Sequence, residues 1–376
     1  MRRAFKAATA GLLGAALAAC ASVAPQVALP ASDAEALRIE TERQQDDALA
    51  AEQSRYERLN RIWWRLITTN EALCADRGRA AGFTLHSLNS YPRELREAAT
   101  RRFGVDADAA VDYVAPGSAA AAAGIAPGDE IVSINGLSVR AGVLNERRNA
   151  DDRAVEDASE KLGDAIDADA PVTLLLRRGE EARTITYTPD AACDYDLLIA
   201  RDDSVNAAAN GRAVLVTTGL LRYLQSDTEL AVVVGHELGH NALSHRDRAQ
   251  DATRGGRWGG AALGILLGAA TGVYIDFGAM AARGTADMRR TFEQEADYVG
   301  MYFAARAGYD IAGVEQFWRR FATDYPTSTY LRDTHPTTAE RFLNIGLVIR
   351  EIAEKQEAGA PLTPNSAEPA QTAARH

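Results

Sequence analysis

Cysteine and histidine are both scarce in this chain of 376 residues, which contains three cysteines and six histidines. So few cysteines exclude a small scaffold that depends on disulfides. The composition, 25% charged and 47% hydrophobic, is that of an ordinary soluble protein, which excludes both a polytopic membrane protein and global disorder. Positive charge is in deficit, with 41 Lys and Arg residues against 52 Asp and Glu and a net charge of −11. We therefore expect no nucleic-acid partner.

Residues 1–19 have the pattern of a signal peptide. A basic start precedes the apolar segment 7–19, which is too short to cross a bilayer comfortably. The segment runs into the letters LAAC at 17–20, which resemble a bacterial lipobox. Cleavage before Cys20 would leave a thiol that carries a lipid anchor, followed by a linker over 20–31. We expect a lipoprotein anchored on the periplasmic side of the outer membrane, with an ordinary signal peptide as the alternative.

The mature chain would retain two cysteines, Cys74 and Cys193. An even pair in an oxidising compartment predicts a disulfide between them. Two separate buried thiols are the alternative.

Composition divides the remaining chain into four segments. Residues 32–81 form a helical segment, because 32–72 contain no Gly or Pro and are dense in helix-forming residues. The apolar residues near its end could pack on the globular body or leave the helix as a spacer from the membrane. Residues 82–190 and 191–356 are treated below. Residues 357–376 lack aliphatic density and contain three prolines, which predicts a disordered tail.

Residues 82–190 are typical of a β-rich domain. Strand-like runs alternate with turn signals, among them Asn135-Gly136, a strong hairpin signal. The string APGSAAAAAGIAPGDEIVSING at 115–136 resembles a PDZ domain of the bacterial protease type. Domains of this kind capture an extended peptide end by strand addition, so a peptide ligand is expected here. A PDZ fold that serves only in packing or gating is the alternative.

The histidines cluster in the C-terminal half, around the sequence HELGH at 236–240. Ser226 and Glu229 have the spacing of a capping box, which predicts that a helix begins there. On that helix His236 and His240 are one turn apart and can bind one zinc ion, with Glu237 placed to act on the attacking water.

A catalytic zinc site needs a third protein ligand and one open position. The segment FEQEAD at 292–297 supplies two candidate glutamates. Glu293 and Asp297 are four residues apart and share a helix face, whereas Glu295 points elsewhere as a solvated charge. We predict Glu293 as the ligand and Asp297 as the group that braces a zinc-bound histidine.

These motifs together resemble the M48 family of zinc metallopeptidases: HELGH, then ExxxD at 293–297, then Thr334-His335-Pro336 followed by Arg341. The resemblance covers about 195–350. It implies an α+β fold, in which a mostly helical gluzincin-type core with a small sheet adjoins the PDZ-like domain and the long N-terminal helix. It also implies one zinc ion per chain.

The resemblance places His335 near the zinc, either filling the fourth position at rest or donating to the oxyanion of the reaction. Otherwise His335 caps a helix that begins at the next residue. Arg341 is expected to be a structural or oxyanion-supporting partner. His245, five residues after His240 and about 140° around a continuous helix, is expected to be a packing or second-layer residue.

The uncharged, glycine-rich segment 258–275 lies between the two ligand helices. It could be a lid or partner contact, a membrane contact, or part of the core.

We predict a zinc-dependent endopeptidase that acts on extended or unfolded envelope proteins, with the substrate paired along the strand at 213–217. The alternative is a peptide-binding or chaperone-like factor that uses its PDZ-like domain and holds a latent zinc site.

Overall fold

The part of the chain that the computed structural model describes comprises residues 33–144, 152–254, 286–329 and 339–365. Residues 1–44 and 45–376 are separate compact units. In the first unit, the described residues form the start of a long helix, in which Arg38 pairs with Glu35 and Glu42.

The helices of the described residues, in chain order, are α1 (Ala34–Thr69), α2 (Arg96–Phe103), α3 (Ala119–Ala122), α4 (Arg153–Asp167), α5 (Thr218–Tyr223), α6 (Asp227–Ala242), α7 (His245–Arg254), α8 (Ala286–Arg306), α9 (Glu315–Asp324) and α10 (Ala339–Glu357). The strands are β1 (Arg77–Ala80), β2 (Phe83–His86), β3 (Ala110–Val114), β4 (Glu130–Ile134), β5 (Leu137–Ser138), β6 (Val172–Arg178), β7 (Glu181–Tyr187), β8 (Asp190–Cys193), β9 (Asp196–Ala200), β10 (Ala207–Ala209) and β11 (Ala213–Thr217). This mixture of helix and sheet confirms the predicted α+β class.

The C-terminal half of α1 buries an apolar stripe. Leu59, Ile62 and Leu66 recur at helical spacing, and each is fully buried in the largest hydrophobic core of the chain. Just beyond the helix, the Asn70 side-chain amide donates to the carbonyl of Phe303 at 3.1 Å. Of the two arrangements predicted for this segment, packing on the globular body is the one that the structure shows.

The predicted helical segment 32–81 is wrong at its end, because α1 stops at Thr69 and residues Arg77–Ala80 form strand β1. This strand pairs antiparallel with β8, so the backbone groups of 77–80 bond to a segment more than a hundred residues away. A disulfide joins Cys74 to Cys193 beside this pairing, as the sequence predicted, with a Cα–Cα distance of 5.6 Å. The two links attach the end of α1 to the start of the peptidase-like half.

Strands β2 to β7 form the sheet of the β-rich domain, in the order β2-β3-β4-β6-β7, with β5 paired to β4. The predicted hairpin turn at Asn135-Gly136 joins β4 and β5, and both residues have the positive φ values, 49° and 80°, that such a turn requires. The core of this domain lies between the sheet and α4, whose Leu162 packs with Val111 and Leu174.

The C-terminal half is built on a smaller sheet with strand order β10-β11-β9. Helix α6 lies against β10 and β11. It begins as predicted, since the Ser226 hydroxyl accepts from the amide of Glu229 at 3.1 Å. Every residue from Leu230 to Ala242 is buried, because the helix lies between the sheet and α8.

Glycines allow α6 and α8 to approach unusually closely. A Cβ added to Gly300 of α8 would lie 2.7 Å from the backbone nitrogen of His236. One added to Gly235 would lie 2.8 Å from the carbonyl oxygen of Gly300. Gly239 faces Ala296 in the same way, at 3.0 Å. Only small residues fit these contacts, so the sequence holds the two helices at the separation that the site needs.

The disordered tail predicted for 357–376 is wrong for the residues that directly follow α10. Arg306 donates to the carbonyl of Leu362 at 3.0 Å, and the Lys355 ammonium donates to the carbonyl of Thr363 at 2.7 Å. Residues 358–365 are therefore attached to the body by hydrogen bonds to their main chain, a type of contact that composition does not encode. None of the described helices combines the length and the apolarity that a membrane span requires.

Candidate metal centre

Helix α6 brings the two predicted histidine ligands together. His236 and His240 lie one turn apart, with their Nε2 atoms 3.2 Å from each other. Both are buried, at 2% and 4% exposure, and Glu237 beside them is 2% exposed. Two imidazole nitrogens aimed at one point in a dry setting are suited to hold a metal ion.

Helix α8 adds the third ligand predicted from the sequence. Glu293 Oε2 lies 3.5 Å from His236 Nε2, and Glu293 Oε1 lies 3.4 Å from His240 Nε2. With ligand bonds of about 2.0–2.1 Å, the corners of a zinc tetrahedron are about 3.3–3.4 Å apart. The separation of the two nitrogens is close to this value, and each nitrogen has one of the two Glu293 oxygens at a similar distance. The three residues form a group whose ligand atoms can hold a metal. The donor set of two imidazoles and one carboxylate therefore fits zinc and leaves one position open.

Asp297 braces the first histidine, as predicted. Its Oδ1 lies 2.9 Å from His236 Nδ1, and the guanidinium of Arg341 donates to both of its oxygens at 2.7 Å. Burial would raise the pKa of the Asp297 carboxyl, but Arg341 and His236 hold it below its usual value. Arg341 is itself buried over the ring of Trp318, 4.6 Å from its centroid. These contacts support the structural role for Arg341 among the two that were expected.

The carboxylates around His236 favour positive charge on its ring, whereas burial lowers the pKa of His240. Burial alone would lower the pKa of His236, but Asp297 and Glu293 outweigh it and raise that pKa to about 10. The carboxylates that favour a proton on His236 favour a metal cation at the same place, and a metal must displace that proton to bind.

Residues 179–346 match the sequence model of peptidase family M48, and residues 111–146 match that of the PDZ domain. The chain carries a peptidase family M48 domain. The predicted resemblance is therefore confirmed, together with the PDZ domain. Zinc as the cofactor agrees with the family and with the His-His-Glu group.

Curated relatives carry the same domain. A putative beta-barrel assembly-enhancing protease of Vibrio cholerae is 31% identical over 173 residues, which cover 42% of this chain and 35% of that protein. The metalloprotease LoiP of Escherichia coli is 25% identical over 56% of this chain and 86% of its own length. The mitochondrial metalloendopeptidase OMA1 of Schizosaccharomyces pombe is 26% identical over 56% of this chain and 63% of its own length. The match thus spans about a third of the first relative.

His245 of the M48 domain lies closer to the site than a continuous helix would place it. The 140° separation of His245 from His240 assumed one continuous helix, but α6 ends at Ala242 and Ser244 has a φ of 50°. This left-handed residue turns the chain, and α7 starts at His245 with its Nδ1 2.9 Å from His240 Nδ1. His245 is 1% exposed and contacts the predicted ligand His240 directly, so of its two expected roles the second-layer one is what the structure shows.

Glu295 is also not the solvated charge that was expected. Its carboxylate lies 2.9 Å from His245 Nε2 and 2.7 Å from the Arg248 guanidinium. The hydrogen bond from His245 lowers the pKa of Glu295 to about 2, and Arg248 acts in the same direction against the effect of burial. Sequence spacing showed correctly that Glu295 lies on a different helix face from Glu293. Its partner on that face, His245, could not be predicted without knowing that the chain turns at Ser244.

The predicted substrate strand at 213–217 is wrong. It is β11, the middle strand of its sheet, paired antiparallel with β10 and parallel with β9. Both edges are occupied, so it cannot accept another strand. Among the described residues the end strand beside α6 is β10.

Some predictions concern residues outside the described parts of the chain. These are the signal peptide and lipid attachment at Cys20, the linker over 20–31, the glycine-rich segment 258–275, and His335.

Proposed function

We propose that this chain is a zinc-dependent endopeptidase that hydrolyses peptide bonds in envelope proteins, in the service of protein quality control. The observation that carries the proposal is the buried grouping of His236, His240 and Glu293, with their nitrogen and oxygen atoms 3.2–3.5 Å apart and Glu237 next to them. Relatives that are named proteases and share the M48 domain support it.

The residues of the site divide the chemistry among them. A zinc ion held by the three ligands supplies Lewis acidity toward the scissile carbonyl and the attacking water. The Glu237 carboxylate accepts a proton from that water as its oxygen bonds to the carbonyl carbon. It returns the proton to the amine nitrogen as the C–N bond breaks. Asp297 and Arg341 keep the His236 ring in one orientation throughout.

We place the substrate along β10 rather than along β11. Strand β10 ends its sheet within the described residues and packs against α6, which carries the catalytic groups. An extended peptide paired with Ala207–Ala209 would extend the sheet that packs on α6, with its carbonyls held by backbone hydrogen bonds. Strand addition reads the backbone first, which suits extended or unfolded polypeptides of varied sequence.

The cellular setting belongs to the same proposal. The signal-peptide pattern and Cys20 support a lipid-anchored protein on the periplasmic side of the outer membrane. The disulfide between Cys74 and Cys193 is in keeping with an oxidising compartment. A relative named for enhancing beta-barrel assembly supports envelope proteins as the substrate class.

A second candidate is a peptide-binding or chaperone-like factor whose zinc site is latent. The burial of the site favours it, since His236, Glu237 and Glu293 are at most 7% exposed and a polypeptide must reach them. The PDZ domain also favours it, because β2 ends the sheet and lies beside α4, where a peptide end could add as a further strand.

The two candidates differ in what replacing Glu237 with Gln does. For the endopeptidase, Glu237→Gln keeps zinc but lowers cleavage of casein by about 10²–10⁴-fold, the usual contribution of a general base. Glu354→Gln makes the same chemical change on the exposed face of α10 and should leave cleavage unchanged. The second candidate would be favoured if the full-length, zinc-loaded wild type binds unfolded protein but does not cleave it, and if adding a chelator changes nothing.

A further inference from the structure

The two histidine ligands of the M48 site are supported in different ways. His236 Nδ1 faces the Asp297 carboxylate at 2.9 Å, which is the arrangement found at many zinc-bound histidines. His240 Nδ1 instead faces a second imidazole, that of His245, also at 2.9 Å. The chain therefore contains a histidine that touches a metal ligand and has no part in the proposed chemistry.

The geometry fixes which nitrogen of each ring holds its proton. His240 Nε2 points toward His236 and Glu293 and is the metal-binding atom, so in the neutral ligand the proton sits on Nδ1. His245 Nδ1 must then accept that proton in a hydrogen bond. The proton of His245 is left on Nε2, which donates to Glu295 Oε2 at 2.9 Å.

Two further contacts hold this chain of hydrogen bonds in place. The His245 ring stacks on Phe292 with a centroid distance of 4.3 Å and an angle of 10° between the planes. Arg248 donates to Glu295 at 2.7 Å and lies over the same phenylalanine ring, 4.8 Å from its centroid. His245 therefore has one ring position, and the carboxylate that it donates to is itself held.

We infer that His245 is a positioning residue for the metal, and that Glu295 acts through it. The inference rests on the proposed zinc site, and it assigns His245 the task of orienting His240 in the tautomer that exposes Nε2. Because the support is an imidazole, it can be replaced by side chains that either keep or remove the acceptor.

Two substitutions separate the hydrogen bond from the packing. His245→Phe keeps an aromatic ring for Phe292 but offers no acceptor to His240. His245→Asn loses the stacking but places its Oδ1 close to the position of Nδ1. If the acceptor matters, zinc should leave the Phe variant about 10–100-fold faster than the wild type, and the Asn variant should fall much closer to the wild type.

The measurement is the rate at which a chelating dye captures zinc from the full-length, zinc-loaded protein. The visible absorption bands of the cobalt-substituted protein give a second readout, since they report the geometry of the ligands. They should change in the Phe variant and stay near wild type in the Asn variant. A purely structural role would reverse the order, because Phe preserves the packing and Asn does not.

Glu295 provides a variant at a half-exposed position, in case both His245 variants fail to fold. Glu295→Leu removes the acceptor for His245, whereas Glu295→Gln keeps an oxygen for it. We expect zinc release to quicken several-fold in the Leu variant and less in the Gln variant. Equal release from both Glu295 variants and the wild type would overturn the inference, as would a wild type that binds no zinc.

These readouts follow the metal and not peptide cleavage. If the wild type holds zinc and shows the expected order of variants but cleaves no peptide, the proposed activity fails and the positioning role stands. If it cleaves peptide while His245→Phe holds zinc as tightly as the wild type, the positioning role fails and the activity stands.

Discussion

The substitution Asp297→Asn tests how the site is held together, because the Asp297 carboxylate contacts both His236 and Arg341. One oxygen faces His236 Nδ1 at 2.9 Å, and both oxygens accept from Arg341 at 2.7 Å. An asparagine has one oxygen and one NH₂ group. Its oxygen can take the place of Oδ1, which contacts both His236 and Arg341, but its NH₂ group then faces the Arg341 Nε–H that Oδ2 accepts from, so one hydrogen bond and the negative charge are lost.

The size of the effect follows from burial. The side chains of Asp297 and Arg341 are each 5% exposed, and removing one partner of a buried ion pair costs about 3–5 kcal/mol. Glu293 Oε2, 3.2 Å from the Arg341 guanidinium, remains as a second counter-charge, so we expect the lower limit, about 3 kcal/mol. That corresponds to a fall of about 6–12 °C in the melting temperature of a domain of this size.

The assay is denaturant unfolding of the zinc-free and zinc-loaded proteins, combined with Arg341→Met in a double-mutant cycle. In the zinc-free protein the two substitutions should be strongly non-additive, since the double variant buries neither charge of the pair. Zinc should stabilise Asp297→Asn less than it stabilises the wild type, because a neutral amide oxygen supports the zinc-bound His236 more weakly than a carboxylate does. Additivity within about 0.5 kcal/mol would refute the buried pair as the source of the effect.

Two other predictions concern how the domain is assembled. Replacing both Cys74 and Cys193 with Ser opens a link across a sequence separation of 119 residues, and the free energy of unfolding should fall by about 4–5 kcal/mol. Denaturant titration with and without reductant measures this, and a wild type that is indifferent to reductant would contradict it. Gly300→Ala places a Cβ 2.7 Å from the backbone nitrogen of His236. The substitution should therefore push α8 away from α6 and lower both zinc retention and the melting temperature. Gly346→Ala, on α10 with nothing within 4 Å of the added Cβ, is the matched control and should be neutral or slightly stabilising.

Local signals in the sequence predicted the grouping of His236, His240 and Glu293 that the structure shows. The capping pair at the start of α6 and the spacing of His236 and His240 depend on residues within one helix, where 3.6-residue periodicity settles which side chains share a face. Glu293 and Asp297 follow the same rule on α8. The inference worked because each pair lies inside a continuous helix.

The errors arose where the chain turns or where distant segments pair. Ser244 adopts a left-handed φ of 50°, a conformation usually signalled by glycine. Because no glycine stands there, the sequence did not indicate that α6 ends before His245. The sequence of β1, Arg-Gly-Arg-Ala, has low strand propensity, and it is a strand because β8 supplies its hydrogen bonds. The middle position of β11 likewise depends on the parallel pairing with β9, which is a property of the sheet and not of the strand.

Helix α8 provides more of the metal centre than its single ligand suggests. Glu293 contributes directly, and Asp297 on the same face braces His236. Glu295, on another face, supports His240 through His245. All three ligands therefore depend on one five-residue stretch of a single helix, which glycine contacts hold close to α6. A shift of α8 away from α6 would remove Glu293 and loosen both histidines together, so the site should gain or lose its metal-binding geometry as a unit.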